Sequence, residues 1–196
     1  MQVPAHEARV TARDLACRRG DRVLFRGVSF ALRSGGALQI TGANGTGKSS
    51  LLRIIAGLSR PFGGVIEREG GIGLVDERPA LDPEWPLARA LAFWRAIDAG
   101  PSPDMTMLGL AGLLDVPFRY LSTGQRKRAA MARLIGQDAA IWLLDEPLNG
   151  LDTAAARMVE ALTANHCARG GIALVASHQP FALPGMTHLP LADFAA

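Results

Sequence analysis

Eight residues, Gly42-Ala43-Asn44-Gly45-Thr46-Gly47-Lys48-Ser49, stand between a short apolar run, Ala37 to Thr41, and a segment in which Leu51, Leu52, Ile54 and Ile55 recur at helical spacing. A strand that passes through a glycine-rich turn into a helix is the context that G-x-x-x-x-G-K-[ST] requires. The glycines let successive amides converge on an anion at the positive end of the helix. Lys48 supplies charge for β- and γ-phosphates, and the Ser49 hydroxyl is a ligand for Mg²⁺. The predicted nucleotide-binding set runs from Gly42 through Ser50, and Gly57 is the helix stop.

Other short, continuously apolar runs alternate with helical patterns. Ile72 to Val75, Ile141 to Leu144 and Ile172 to Ala176 read as buried strands. Leu87 to Ile97, Thr106 to Leu114, Arg126 to Ile135 and Thr153 to Ala168 read as helices, the last ended by Gly170-Gly171. Val23 to Phe25 with Val28 to Leu32 reads as strand before a turn at Ser34-Gly35-Gly36. The alternation predicts an α/β fold: a P-loop core with a mostly parallel sheet flanked by helices. Residues 1–196 are expected to form a single domain. Residues 84–125 lack buried strands and are expected to form a small helical subdomain inserted in that core.

Composition narrows the function classes. The net charge of +3 is scattered along the chain, so nucleic acid is not an expected partner. The compact run Arg126-Lys127-Arg128 reads as a solvated helix face. Cys17 and Cys167 lie far apart without metal-type spacing, as reduced thiols of a cytosolic protein do. No Cys-x-x-Cys-His sequence offers covalent haem attachment. Met1 to Val10 carries Pro4, His6 and Glu7 and no apolar stretch, so no secretory leader is expected. No apolar run approaches the roughly 18 residues that span a bilayer; any membrane part must come from a partner.

The run Ile141 to Leu144 ends in Asp145-Glu146. A carboxylate at that strand end, beside the phosphate loop, can hold Mg²⁺ through water. Glu146 points elsewhere and is placed to polarise an attacking water. Alone, the pair would be an ordinary strand-end turn; the phosphate loop gives it chemistry. Upstream, Leu121-Ser122-Thr123-Gly124-Gln125 opens a helix with a hydroxyl, a glycine that permits close approach, and free amides. A plain N-cap is the structural alternative.

These residues resemble the signature of the ATP-binding cassette (ABC) family, usually Leu-Ser-Gly-Gly-Gln, with Thr123 in place of the first glycine. The resemblance implies ATP and Mg²⁺ as ligands and an N-terminal antiparallel β subdomain. It also implies a homodimer in which Leu121 to Gln125 close over the ATP of the other subunit. Asp152, in Gly150-Leu151-Asp152, would lie at the dimer seam. His178 would contact the γ-phosphate beside Glu146, though a lone histidine after a strand would otherwise be an ordinary surface or core residue. His6, His166 and His188 carry no such context.

Two positions depart from the family pattern. A glutamine is usual where this chain reads Val75-Asp76-Glu77-Arg78-Pro79, with Arg78 at the glutamine position. A cation near Mg²⁺ is repelled, so Arg78 is expected to turn outward or meet phosphate, with lower turnover or a partial takeover by Glu77. Arg18-Arg19-Gly20 replaces the usual aromatic residue that stacks on adenine. Either Arg19 stacks its guanidinium on the base, or the base is held weakly and Arg19 is an exposed turn residue.

Within the family, the stretches Gln39 to Gly45, Leu52 to Pro61 and Ser177-His178-Gln179-Pro180 resemble ATP-binding subunits of cytochrome c biogenesis complexes. That implies a peripheral position on the cytoplasmic side of a bacterial inner membrane, multi-spanning partner subunits, and hydrolysis that energises haem export or release of a haem-loaded chaperone. A motor for another cargo (lipid, peptide or ion) and a nucleotide-dependent switch with weak hydrolysis are the alternatives. Trp85, Leu87, Leu91, Phe93 and Trp94 form either a partner-docking surface or the core of the helical lobe.

Overall fold

The computed structural model describes residues 8–98 and 100–196. His6 and most of the segment read as carrying no leader lie outside the described residues. The strands are β1 (Arg9–Arg19), β2 (Arg22–Arg33), β3 (Ala37–Thr41), β4 (Gly63–Glu69), β5 (Ile72–Val75), β6 (Ile141–Asp145), β7 (Ile172–Ala176) and β8 (Thr187–Pro190). The helices are α1 (Lys48–Ile55), α2 (Leu87–Asp98), α3 (Thr123–Gln137) and α4 (Thr153–Ala168).

Five strands form a parallel sheet in the order β5-β6-β7-β3-β8. Every residue of β6 and β7 is buried, which is why both read as unbroken apolar runs. An antiparallel sheet, β2-β1-β4, packs its apolar face against α1 and one side of the parallel sheet. On the other side, α3 and α4 bury Met131, Leu134 and Val159 against Trp142, Leu144 and Val175. The architecture is the expected α/β one, including the N-terminal antiparallel β subdomain that the resemblance implied.

A separate cluster of Leu81, Leu87, Leu108, Leu110, Phe118 and Leu121 forms the core of the lobe between β5 and α3. Leu87, Leu108 and Leu110 are fully buried there, each worth about 1.5–3 kcal/mol of transfer free energy. The helix predicted over Thr106–Leu114 does not form: the segment makes turns and then a single 3-10 turn at Ala111–Leu113. Gly109 sits at φ +62°, and Arg128 donates to the carbonyls of Leu108 and Gly109, taking them out of a helical ladder. Among the described residues no helix is long and apolar enough to cross a membrane.

Candidate functional site

The loop between β3 and α1 is shaped by its glycines. Gly47 lies at φ +106°, and a Cβ there would stand 3.0 Å from the Phe25 ring, so the turn and the tight seat on β2 both exclude a side chain. No side chain caps α1 at Gly47, which leaves its first amides free for an anion. Thr46 Oγ1 donates to the Ala43 carbonyl across the loop at 2.9 Å. The Lys48 ammonium folds back onto the carbonyls of Gly42, at 2.8 Å, and Ala43, at 3.3 Å. Its side chain is only 6% exposed, and its Nζ lies 3.4 Å from Glu146 Oε1. Asn44, Gly45, Ser49 and Ser50 continue the wall of a cavity of about 350 Å³ whose far side is Glu77, Glu146 and His178.

Glu146 follows β6 in the left-handed region, at φ +45°. Its amide donates to the Ala176 carbonyl at 2.8 Å, and the Glu146 carbonyl accepts from Lys127 Nζ. The carboxylate is thereby aimed between Lys48 and His178, whose Nδ1 lies 2.9 Å from Oε2. Asp145 is buried beside Ser49, and its Oδ1 has no hydrogen-bond partner. Burial pushes the Asp145 carboxyl above its ordinary range; Glu146, Glu77 and Asp76 add to this and the Ser49 hydroxyl opposes it. An orphaned carboxylate oxygen in a concentration of negative charge fits a cation. Among the described residues no three His, Cys, Asp or Glu converge on one point. The donor set therefore suits Mg²⁺, which takes one or two protein oxygens and fills its shell with phosphate and water.

Leu121 to Gln125 stand outside that cavity. Leu121 is buried in the lobe core. Ser122 caps α3: its hydroxyl accepts from the Gln125 amide at 3.3 Å, and Gln125 Oε1 accepts from the Ser122 amide at 2.8 Å. A Cβ on Gly124 would lie 2.9 Å from the Gly150 carbonyl, so the close approach expected of this glycine is to the loop after β6. Thr123 touches the same loop, within a recess of about 310 Å³ that also reaches Lys127, Glu146 and Asn149. Asp152 is the N-cap of α4, accepting from the Ala155 amide at 2.8 Å.

The two departures are visible in the geometry. Glu77 faces the cavity that holds Lys48 and Glu146. The Arg78 side chain is exposed at a smaller recess, about 180 Å³, lined by Ser49 and Asp145, while its amide is tied to Asp76 Oδ1 at 2.9 Å. Arg18 lies over the Phe62 ring at 4.7 Å, which leaves Arg19, with Leu24, on the wall of the main cavity. Both thiols are free and buried.

The run Arg126-Lys127-Arg128 is only in part the solvated face expected of it: Arg126 is exposed, while Lys127 and Arg128 are half-buried. Arg126 donates to the Arg119 carbonyl, Lys127 to Glu146, and Arg128 to Leu108 and Gly109. Burial draws the Lys127 ammonium below its ordinary pKa, with Glu146, Asp145 and Glu77 pulling the other way. Lys127, Leu24 and Asn149 had no local pattern to mark them, because their partners lie on other elements. His166, given no role from sequence, is buried and stacked on Trp142 at 4.0 Å between ring centroids.

Residues 25–149 match the ABC transporter family. The cytochrome c biogenesis ATP-binding export protein CcmA of Novosphingobium aromaticivorans is 54% identical over 188 residues, 96% of this chain and 98% of that protein. The CcmA proteins of Zymomonas mobilis, at 48% identity, and Rhizobium meliloti, at 40%, match 96% and 95% of this chain and 87% and 99% of their own lengths. A metal-chelate type ABC transporter solved in an inward-facing conformation superposes with a TM-score of 0.77 at 26% identity, over 97% of this chain and 82% of its own. An ABC transporter ATP-binding protein of Pyrococcus furiosus shares the fold, with a TM-score of 0.81 at 18% identity over 96% of this chain and 100% of its own. The chain belongs to the ABC transporter family as an ATP-binding domain, among the cytochrome c biogenesis ATP-binding export proteins.

Proposed function

We propose that this chain binds and hydrolyses Mg·ATP as the motor subunit of a cytochrome c biogenesis export complex. The observation that carries the reading is the Glu146 carboxylate held between Lys48 and His178, on the wall of the phosphate-loop cavity. When ATP enters, Lys48 exchanges Glu146 for the β- and γ-phosphates, which carry the higher charge. The freed carboxylate keeps His178 and accepts a proton from the attacking water. His178 steadies that carboxylate and reaches toward the γ-phosphate. Asp145 and Ser49 would hold Mg²⁺, which, when bound, neutralises charge on the transferred phosphoryl group.

Ser122 and Gly124 lie off the chain's own cavity, which supports a homodimer in which Leu121 to Gln125 act on the second copy's ATP and Asp152 lies near the seam. The membrane part comes from multi-spanning partner subunits, with this chain peripheral on the cytoplasmic side of the inner membrane. The lobe of residues 84–125 offers them Phe93, 49% exposed, and the half-buried Trp85, Leu91 and Trp94, while Leu87 belongs to the core. Haem export, or release of a haem-loaded chaperone, is the step so energised; the relatives' names support the biogenesis setting.

Hydrolysis by the wild type beside Glu146→Gln tests the motor. The variant is expected to lose activity by about 10²–10⁴-fold, the usual worth of a general base, and to accumulate an ATP-bound dimer on size exclusion. An active variant rejects the assignment. Arg78 beside Ser49 and Asp145 favours a second reading, a nucleotide switch with slow turnover. In that case Arg78→Gln raises Mg²⁺-dependent hydrolysis, and an unchanged rate removes it.

A further inference from the structure

Of the 21 lysines and arginines in the chain, only Lys48 and Lys127 are lysines. Both touch Glu146: one meets its carboxylate, the other its backbone carbonyl. Among the described residues the non-glycine positions with positive φ are Asp14, Asp138 and Glu146. Asp14 lies where β1 bulges and Asp138 caps the end of α3, and aspartate tolerates the left-handed region. A glutamate has no such local excuse, so its surroundings must hold it there.

Three bonds hold that peptide. The Glu146 amide is fixed to Ala176 on β7, and its carbonyl accepts from the Asn149 amide at 3.3 Å and from Lys127 Nζ. The first two belong to the strand end and its turn. The third is the only one that comes from α3, and the half-buried ammonium it brings is faced by the carboxylates of Glu146, Asp145 and Glu77.

We propose that Lys127 is a positioning residue for ATP hydrolysis: its ammonium keeps the Glu146 peptide left-handed, aims the carboxylate between Lys48 and His178, and ties that aim to the helix whose first turn carries Gly124. This rests on the reading of Glu146 as the base. A guanidinium at the same position retains the charge and the donor, whereas a methionine keeps the length and loses both.

The test uses the full-length chain as wild type, Lys127→Met and Lys127→Arg, with ATPase kinetics and hydrogen–deuterium exchange over residues 143–150. Lys127→Met is expected to lower kcat roughly 10- to 100-fold, the scale of a misplaced catalytic group, with KM for Mg·ATP within about twofold. Exchange over 143–150 rises in that variant alone, and Lys127→Arg restores most of the rate. Wild-type kcat in Lys127→Met, unaltered exchange over 143–150, or a loss that falls in KM instead overturns the inference. If the wild type itself hydrolyses no ATP, the reading of Glu146 fails, and exchange alone then decides whether Lys127 holds the loop.

Discussion

Gly124 gives the most direct test of how the signature turn is seated. A Cβ added there would stand 2.9 Å from the Gly150 carbonyl oxygen, and ordinary contact begins near 3.4 Å. In Gly124→Ala, α3 or the loop at Gly150 must therefore give way by about 0.5 Å, the difference of those distances. Stability is pulled both ways. Alanine gains up to about 1 kcal/mol of helix propensity over glycine, and the forced shift costs a similar amount. The net change in Tm should stay within about 4 °C, since about 1 kcal/mol moves a domain of this size by 2–4 °C. Geometry has no such offset. If a misplacement of about 1 Å costs about 10²-fold, half of that costs about tenfold in kcat. Calorimetry with steady-state ATPase kinetics separates the two, and Thr123→Ser, which removes the methyl group nearest Gly150, should recover part of the rate. A variant with wild-type kcat, or one whose lost activity tracks a lost fold, would show that the contact does not set the geometry.

Three further outcomes follow from buried groups. Burial holds His166 below its ordinary pKa of 6.5, so the unfolded chain takes up a proton the native state resists: stability is complete above that value and is lost as pH falls below it. Melting at pH 7.5 and 5.5 should show this loss, and His166→Phe should flatten it; an equal slope in both proteins assigns the effect elsewhere. Asp145 has the opposite sign for a carboxylate, because its raised pKa makes the ionised form a cost to the fold at neutral pH. Asp145→Asn should therefore leave Tm unchanged or higher without nucleotide while abolishing Mg²⁺-dependent hydrolysis, and a destabilised variant refutes the burial argument. Leu108→Ala removes a fully buried side chain of the lobe core and should cost about 2–5 kcal/mol by denaturant unfolding; a loss below about 1 kcal/mol means that the lobe collapses around the gap.

The parallel core was legible because β3, β6 and β7 are buried on both faces and α1 carries its apolar residues on one. The antiparallel sheet was harder. β1 shifts register between Ala12 and Leu15 and again before Cys17 and Arg18, so its buried pattern never settles into alternation. β4 is a mostly exposed edge with charged residues, and β8 is four residues long and ends in Pro190. In the site, residues fixed by their own loop or strand end could be read directly: Gly42 to Ser49, Asp145 and Glu146. Lys127 could not, since its contact with Glu146 depends on a carbonyl brought to it by the fold. Asp152 and Ser122 show a different limit: each caps its helix, and that structural duty alone would place the same residue types there.

Helix α3 is where these threads meet. Ala130, Met131 and Leu134 pack on the α/β core, while Ala129 and Ala132 on the same helix pack in the lobe. Its first turn abuts Gly150, its Lys127 holds Glu146, and its Arg128 holds the backbone of Leu108 and Gly109. The lobe and the strand end that carries Glu146 are thus not joined by a slack linker; they grip different faces of one rigid rod. Close-packed interiors switch between discrete arrangements and do not deform smoothly. A shift of the lobe must therefore either carry α3 with it, which loads the Lys127 bond, or break the Arg128 bonds and the packing of Ala129 and Ala132. In the first case the Glu146 carboxylate changes its relation to Lys48, which is fixed to the phosphate loop by the Gly42 carbonyl and so stays behind. A force at the lobe surface that moves α3 thus reaches Glu146 through Lys127.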